Sequence, residues 1–401
     1  MKTKIAWIIG HQWPEPNTTA AGVRMTGLIQ HFQAQGYAVH FSSAAQRTAY
    51  TELPVEVETH EIKLNDSGFD AFAKALQPHL VIFDRFMTEE QYGWRVADAC
   101  PDAIRVLDTE DLHFLREARR VAAQGKALNL YTDLAKRELA SILRSDLSLM
   151  VSKAEFDLLV NSFSIPEKLL LYVPFSYPLA APLASYQDRC NIVTLGNLNH
   201  APNVDSVKRL KQQIWPELIK QLSDCEVHVY GAYAPQQISE MHDSRDRFLV
   251  KGWVADASAM LQNYRLQLAP LSYGAGIKGK ILQSFACGTP VVTTPLGAEG
   301  IIDSGSELYT HCVASSEVDF IEKAIDLYTN KPLWNHIQSM GYDLMENFQN
   351  YNASALMNQI DTLANQLENH RQRHFIGQIL NHQTHHASRY MGKWIEAKNK
   401  K

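Results

Sequence analysis

The sequence predicts an α/β protein built from two Rossmann-like, doubly wound domains that face each other across an inter-domain cleft. Short apolar runs rich in β-branched residues alternate along the chain with longer amphipathic stretches. Most of these runs are apolar throughout, which is typical of strands buried on both faces of a parallel sheet. Alternating strands and helices indicate doubly wound sheets, and such sheets bind ligands beyond the carboxyl ends of their strands.

The predicted strands form two series along the chain. The first series covers residues 5–9, 39–42, 80–83, 104–107, 147–151 and 169–173. The second series covers residues 192–195, 227–230, 248–250, 266–269 and 291–293. Amphipathic helices are predicted between the strands, for example over residues 207–222 and 257–264.

A proline-rich segment separates the two series. Pro174, Pro178 and Pro182 precede the second series, and proline-rich segments form stiff, exposed connections between domains. The expected organisation is an N-terminal domain over residues 1–175, a hinge linker over 176–190, a C-terminal domain over 191–345 and a helical tail over 346–401.

Composition excludes several classes of function. The 401 residues are 45% hydrophobic, enough for substantial cores, and 38 Lys and Arg against 43 Asp and Glu leave a net charge of −5. The chain therefore lacks the overall basic field that nucleic-acid binding requires. No apolar run approaches the roughly 18 residues of a membrane span. The five cysteines are scattered without a C-x-x-C pair, which favours reduced thiols and a cytoplasmic protein over a disulfide scaffold.

The strongest chemical signal is a glycine-rich turn between a strand that ends at Ala269 and a helix predicted from about Ile277. Gly274, Gly276 and Gly279 allow backbone N–H groups to approach an anion closely. The N-terminus of the helix adds partial positive charge at the same place. This turn therefore suits an anionic ligand.

Two lysines add formal charge to the turn. Lys278 and Lys280 lie beside the glycines, and the combination suits a diphosphate. The same residues also fit an ordinary glycine-rich turn with solvated lysines. The residues alone leave both interpretations open.

The segment from Gly274 to Val292 resembles the donor-site motif of retaining glycosyltransferases of the GT-B fold, family 4 and its relatives, the glycosyl transferases group 1. Further stretches resemble this family's C-terminal domain in the expected order, at residues 195–207, 229–231, 250–254 and 298–301. The N-terminal half is a looser match, through residues 13–24 and 107–113.

The resemblance implies that the protein transfers a sugar from a UDP- or GDP-linked nucleotide sugar to a saccharide or lipid-linked acceptor. It implies acceptor binding by the N-terminal domain and donor binding by the C-terminal domain. It further implies retention of anomeric configuration, no metal or other cofactor, and a place in cell-surface polysaccharide or glycoconjugate synthesis. The chain has no convincing D-x-D motif at a strand end, which agrees with metal-free chemistry.

The resemblance also assigns residues to roles. The catalytic residues it implies are His113, Lys278 and Lys280. The donor-binding residues are Gly22, Gly196, Asn197, Asn203, Gly231, Trp253, Val254, Tyr273, Gly274, Ala275, Gly276, Ile277 and Gln283, with Trp253 at the base and Gln283 at the ribose. The acceptor-side residues are Thr18, Thr19, Arg24 and Asp111. Asp84 is a further acceptor-side candidate, not from the resemblance but because it follows the predicted strand 80–83.

One departure from the family pattern concerns two glutamates separated by seven residues. By spacing, these positions are Ala275 and Gln283. A glutamine can hydrogen-bond to a ribose hydroxyl, but it lacks the charge that strengthens such a bond. The donor class and the strength of donor binding therefore stay open.

The N-terminal candidates also fit local structural roles. Asn17 or Thr18 fits a helix cap as well as a ligand contact. Asp84 fits an ion pair with its neighbour Arg85. A single histidine such as His113 fits a structural role as well as a catalytic one.

Residues 113–144 form a basic stretch in an acidic chain. Arg116, Arg119 and Arg120 share a helix face. Such a face fits contact with an anionic lipid surface or an anionic acceptor, or plain solvation, so a peripheral position at the inner membrane face stays open as an expectation.

The tail carries His382, His385 and His386 at the spacing of one helix face. They fit a metal site or a solvated helix, and the solvated helix is the default because no cysteine or carboxylate accompanies them.

Two other functions remain as alternatives. A sugar-nucleotide epimerase of the same fold needs acid–base residues and no acceptor. A non-catalytic nucleotide-sugar-binding protein is suggested by the missing glutamate pair.

Overall fold

The computed structural model describes residues 4–175, 177–349 and 353–399. Its first lobe contains a seven-stranded parallel sheet in the order β3-β2-β1-β4-β5-β6-β7. The strands are β1 (Ile5–Gly10), β2 (Ala38–Ser43), β3 (Glu58–Glu61), β4 (Leu80–Asp84), β5 (Ile104–Asp108), β6 (Leu147–Met150) and β7 (Leu170–Tyr172). The strand order reverses between β1 and β4, which is where a doubly wound sheet opens a ligand crevice.

Helices cover both faces of this first sheet. They are α1 (Ala20–Ala34), α2 (Ser67–Leu76), α3 (Phe86–Ala99), α4 (His113–Ala123), α5 (Asp133–Arg144) and α6 (Lys153–Phe163). On one face, Trp7 packs on Phe69 of α2 with ring centroids 5.1 Å apart. On the other face, Ile8 and Phe41 join Phe32 of α1 in a separate apolar cluster. The sheet is thus buried on both sides, as its continuously apolar strands predict.

The second lobe contains a five-stranded parallel sheet in the order β10-β9-β8-β11-β12. Its strands are β8 (Cys190–Leu195), β9 (Val227–Tyr230), β10 (Phe248–Gly252), β11 (Tyr264–Ala269) and β12 (Val291–Thr293). Its helices are α7 (Ala201–Arg209), α8 (Trp215–Gln221), α9 (Gln236–Ser239), α10 (Ala257–Leu261), α11 (Gly279–Ala286), α12 (Pro295–Ala298), α13 (Glu307–Cys312), α14 (Glu317–Thr329) and α15 (Lys331–Gln349). The predicted class, two Rossmann-like α/β units, is confirmed.

The predicted strands are all present, with ends shifted by at most two residues, whereas several helix limits need correction. The helix predicted over 207–222 begins earlier, at Ala201, and contains a π-helical turn at Leu210–Ile214. The helix predicted over 257–264 ends at Leu261 because β11 begins at Tyr264. The helix predicted from about Ile277 begins at Gly279.

The C-terminal tail returns to the first lobe. It forms α16 (Ala353–Arg373) and α17 (Phe375–Asn399). Leu356, Ile360 and Leu363 of α16 are buried against the first sheet, and Arg371 forms a 2.7 Å ion pair with Asp146. The tail is therefore a packed part of the fold and not only a solvated extension.

The predicted histidine face of α17 lies partly outside what the structure describes. His382 is an exposed residue of the helix, but the side chains of His385 and His386 lie outside the described residues. None of the described helices is both long and apolar enough to cross a membrane.

Candidate active site

A cleft of about 990 Å³ separates the two lobes. Its walls include the segments that follow β1, β4 and β5 in the first lobe and β8, β9, β10 and β11 in the second. The carboxyl ends of both parallel sheets therefore open onto the same space, as expected for doubly wound sheets.

Most of the residues predicted from the sequence line this cleft. From the second lobe these are Gly196, Asn197, Asn203, Gly231, Trp253, Val254, Tyr273, Gly274, Ala275, Gly276, Ile277, Lys278, Lys280 and Gln283. From the first lobe these are Thr18, Thr19, Asp111 and His113. These residues therefore lie together, and the role of each stays a prediction.

Three predicted residues, Arg24, Gly22 and Asp84, do not line the cleft but lie behind its wall. Arg24 is buried, and its Nη2 lies 2.7 Å from Oδ1 of Asp108. A Cβ on Gly22 would lie 2.3 Å from the backbone of Glu15, so this glycine allows the loop and α1 to pack closely. Neither residue lines the cleft, and their contact with a ligand stays a prediction.

Asp84 also serves the fold. Its Oδ2 accepts a 3.0 Å hydrogen bond from the backbone N–H of His11, and its Oδ1 lies 3.7 Å from Nε of Arg85. The ion-pair alternative for Asp84 therefore matches the structure better than the acceptor-side prediction. Arg85 is the neighbour that lines the cleft.

The glycine-rich loop, residues 274–279, carries the closest contact between the lobes. Gly276 has φ +65°, and a Cβ there would lie 2.8 Å from Cβ of Asp111. Its backbone N–H donates a 2.5 Å hydrogen bond to Oε1 of Glu155. Glycine is required here both for the backbone conformation and for the approach of the first lobe.

The sequence around Glu155 gives no sign of a functional role. Glu155 follows Ser152 in the pattern Ser-x-x-Glu, which indicates a capping box at the start of a helix. Ser152 does accept a hydrogen bond from the N–H of Glu155, but the Glu155 carboxylate reaches across to Gly276. Burial, followed by the nearby charge of Asp111, raises the pKa of Glu155 to about 7.

The two lysines of the loop have different surroundings. Nζ of Lys278 donates a 2.7 Å hydrogen bond to the carbonyl of Gly276 and lies 3.9 Å from Oε2 of Glu299. Nζ of Lys280 donates a 2.7 Å hydrogen bond to Oδ1 of Asn203. Burial lowers the pKa of both lysines, and that of Lys280 falls to about 7.

The arginines of α4 are held by carboxylates. Arg119 makes two 2.7 Å hydrogen bonds to Glu299 of the second lobe and one of 3.1 Å to the carbonyl of Gly274. Arg116 pairs with Asp111, and Arg120 pairs with Glu117. Arg119 therefore bridges the lobes, and contact of this helix with lipid stays an untested expectation.

The first-lobe side of the cleft carries a histidine and a carboxyl group. His113 begins α4, and its Nε2 lies 3.5 Å from Oδ1 of Asp111. Burial lowers the pKa of His113 to about 4, so its imidazole is neutral near pH 7. Its two nitrogens therefore offer one donor and one acceptor.

The carboxyl group is that of Glu110, which lies within residues 107–113, part of the looser N-terminal match. Glu110 has φ +61°, and its buried Oε1 has no hydrogen-bond partner among the described residues. Burial, followed by the charge of Asp108, raises the pKa of Glu110 to about 8. A protonated carboxyl group facing the cleft can donate a hydrogen bond.

Aromatic residues surround the rim. Trp253, which is 42% exposed, donates from Nε1 to the carbonyl of Asn17 at 3.1 Å. Tyr233 donates to the carboxylate of Glu15 at 3.0 Å. Tyr50 packs on Trp253 with ring centroids 5.2 Å apart. The predicted base-binding tryptophan thus lies where the lobes meet.

Ala275 and Gln283, which occupy the two positions of the missing glutamates, have different surroundings. Gln283 lies in α11, and its Nε2 donates a 3.1 Å hydrogen bond to Oγ of Ser258. Ala275 packs against an apolar cluster of the first lobe. A larger, charged side chain at 275 would have to enter this contact.

Comparison with known proteins gives a family for the second lobe. Residues 189–330 match the family model described as Glycosyl transferases group 1. No curated protein sequence matches the chain.

The fold is shared with solved glycosyltransferase structures. TarM of S. aureus has a TM-score of 0.68 at 9% identity, over 91% of this chain and 99% of TarM. Sucrose-phosphate synthase of Thermosynechococcus elongatus has a TM-score of 0.68 at 13% identity, over 91% of this chain and 99% of the synthase. HepE of Anabaena, solved with UDP and glucose, has a TM-score of 0.61 at 14% identity, over 91% of this chain and 99% of HepE.

The two-lobed architecture and the cleft between the lobes are the fold of these solved glycosyltransferases. Within this fold, the match to the glycosyl transferases group 1 model is confined to residues 189–330, the second lobe. The resemblance inferred from the sequence is thereby confirmed.

Proposed function

We propose that the protein transfers a sugar from a nucleotide sugar, UDP- or GDP-linked, to a saccharide or lipid-linked acceptor in the synthesis of a cell-surface polysaccharide or glycoconjugate. One observation carries this proposal. The glycine-rich loop with Lys278 and Lys280 faces Glu110 and His113 across a cleft large enough for a nucleotide sugar.

The second lobe supplies the groups that suit the nucleotide diphosphate. Lys278, Lys280 and the amides of residues 274–279 stabilise negative charge as it builds on the departing diphosphate. Lys280 loses little by turning from Asn203 to a phosphate, since a hydrogen bond between two charged groups replaces one to a neutral amide. Trp253 stacks on the base, and Gln283 binds the ribose.

The first lobe supplies the groups that suit the acceptor. Glu110 and His113 lie on the opposite wall and orient the acceptor hydroxyl by hydrogen bonds. The hydroxyl attacks the anomeric carbon from the face that the diphosphate leaves, and its proton passes to the leaving phosphate oxygen. This route yields retention of configuration and needs no strong protein base and no metal or other cofactor.

A cytoplasmic location is part of the proposal. The free cysteines, most of them buried, suit a reducing compartment, and nucleotide sugars are anionic substrates that suit the cleft. The arginines of α4 do not support a peripheral membrane position, because each of them is paired with a carboxylate.

The test is binding followed by turnover. UDP, GDP, ADP and their sugars are screened by thermal shift, and the preferred donor is incubated with candidate acceptors while the anomeric configuration of the product is read by NMR. Lys278→Ala removes a charge-assisted contact of about 1.5–3 kcal/mol, so we expect the dissociation constant for the nucleotide to rise tenfold or more. Lys63→Ala, at an exposed position outside the cleft, is the matched control.

The alternatives give different results in the same experiment. Isomerised sugar nucleotide formed without any acceptor indicates an epimerase, for which Glu110 and His113 are the acid–base candidates. Nucleotide binding without turnover across the panel indicates a binding protein. Unchanged affinity in Lys278→Ala contradicts the assignment of the glycine-rich loop.

A further inference from the structure

Two histidines and a glutamate meet at the edge of the first sheet. His40 lies on β2, and Glu58 and His60 lie on β3, which is the edge strand. His40 pairs with Glu58 in the strand register, and alternate residues of a strand point to the same face. The three side chains therefore share one face of the sheet, and none of them lines the cleft.

Their ligand atoms converge. Nδ1 of His40 lies 3.0 Å from Nε2 of His60 and 3.7 Å from Oε2 of Glu58. One ligand atom from each residue lies within 4.8 Å of the other two. Tetrahedral Zn²⁺ with ligand bonds of 2.0–2.2 Å separates neighbouring ligand atoms by about 3.3–3.6 Å. The separations of His40 from His60 and from Glu58 therefore differ from this range by only a few tenths of an ångström. The carboxylate of the exposed Glu58 can turn to adjust its distance from His60.

The surroundings favour a metal-binding state of both imidazoles. A neutral imidazole has one nitrogen lone pair that it can offer to a metal ion. The two rings lie nearly parallel, at 9°. The ring of Phe72, 4.6 Å from that of His60, forms an apolar wall. Glu58 is on the exposed side and leaves an entry path for an ion.

We propose that His40, Glu58 and His60 form a Zn²⁺ site in which water provides the fourth ligand. Two neutral imidazoles and one carboxylate are a ligand set that zinc accepts. The ion would join β3 to β2 at the sheet edge, where β3 has only one neighbouring strand. Because the site lies outside the cleft, the proposal is independent of the glycosyl-transfer chemistry.

The test compares zinc binding by the full chain with that of variants. Metal-free protein, prepared with a chelator, is equilibrated with Zn²⁺, and bound zinc is quantified together with the melting temperature. His60→Ala removes a ligand, and Glu58→Gln removes the charge at an exposed position where the fold is least affected. A variant with His382, His385 and His386 replaced by alanine controls for zinc bound by the tail.

We expect the tail variant to retain one tight zinc ion and a zinc-dependent rise in melting temperature. His60→Ala should lose both, and Glu58→Gln should bind at least tenfold more weakly. His336→Ala, in the second lobe, should behave like the unmodified chain. Equal zinc binding in Glu58→Gln and the unmodified chain overturns the proposal. So does the absence of bound zinc in the tail variant, which would leave the two histidines as a simple hydrogen-bonded pair.

Discussion

The backbone N–H of Gly276 donates a 2.5 Å hydrogen bond to the carboxylate of Glu155 across the cleft. An anion from the first lobe thus occupies an amide of the very loop that suits a phosphate. Glu155 is buried, and its carboxylate also accepts a hydrogen bond from the N–H of Leu112. The carboxylate is therefore held in position by a second contact within the first lobe.

The first prediction concerns this occupied amide. Glu155→Gln removes a negative charge that competes with phosphate, so we expect UDP or the preferred nucleotide to bind about tenfold more tightly, or 1.4 kcal/mol. Calorimetric titration measures the dissociation constant. Glu346→Gln, at an exposed position outside the cleft, should leave it unchanged. Weaker binding in Glu155→Gln would show that the carboxylate organises the loop instead of competing for it.

The second prediction is a pH dependence of donor binding. Burial lowers the pKa of Lys280 to about 7 and raises the pKa of Glu155 to about 7. A bound diphosphate favours the charged form of Lys280 and the neutral form of Glu155, so both groups take up protons on binding. By linkage, affinity must rise as the pH falls.

We expect the dissociation constant for the nucleotide to decrease roughly tenfold between pH 8 and pH 6, with proton uptake visible as a dependence of the calorimetric enthalpy on the buffer. Lys280→Ala should reduce that uptake. If the affinity stays constant between pH 6 and pH 8, or increases as the pH rises, the assignment of both groups is contradicted.

The third prediction concerns Gln283. It lies in the cleft wall and bonds only to Ser258 among the described side chains. If it binds ribose, Gln283→Glu should preserve or tighten donor binding, since a carboxylate forms the stronger hydrogen bond to hydroxyls. The two dissociation constants are compared with the preferred nucleotide. A loss of tenfold or more with glutamate would mean that the new charge repels the diphosphate and that this position does not replace the family's second glutamate.

The fourth prediction concerns metal removal. The lysines of the loop stand where a cation would otherwise balance the diphosphate, so EDTA should leave the transfer rate unchanged. The assay uses the preferred donor and acceptor with and without chelator. Loss of turnover that magnesium or manganese restores would place the protein in a different catalytic class. Loss restored by zinc alone would instead connect the cluster of His40, Glu58 and His60 to catalysis.

Much of the fold follows from sequence because its strands are buried on both faces. Strands such as β1 and β4 are short, continuous apolar runs, a pattern typical of buried strands. The edge strand β3 was not predicted, since Glu58-Thr-His-Glu61 carries no apolar residue. Its register comes from its pairing with β2, which is a tertiary contact.

The candidate site was predictable where local chemistry marks it and not where distant segments meet. The glycine-rich loop signals itself through glycines and lysines in one turn. The pairing of Arg119 with Glu299 joins residues 180 positions apart, and the reach of Glu155 to Gly276 spans 121. The docking of α16 had a readable signal, because Leu356, Ile360 and Leu363 repeat at helical spacing.

The return of the C-terminal helices has a mechanical consequence. The polypeptide passes between the lobes once after β7 and once more between α15, which packs on α11, and α16, which packs on the first sheet. Two connections restrict the relative motion of the lobes more than one would, so we expect the cleft to open less freely than in a protein whose lobes are joined only after β7. Truncation before Ala353 would remove one connection and bare the apolar surface beneath Leu356.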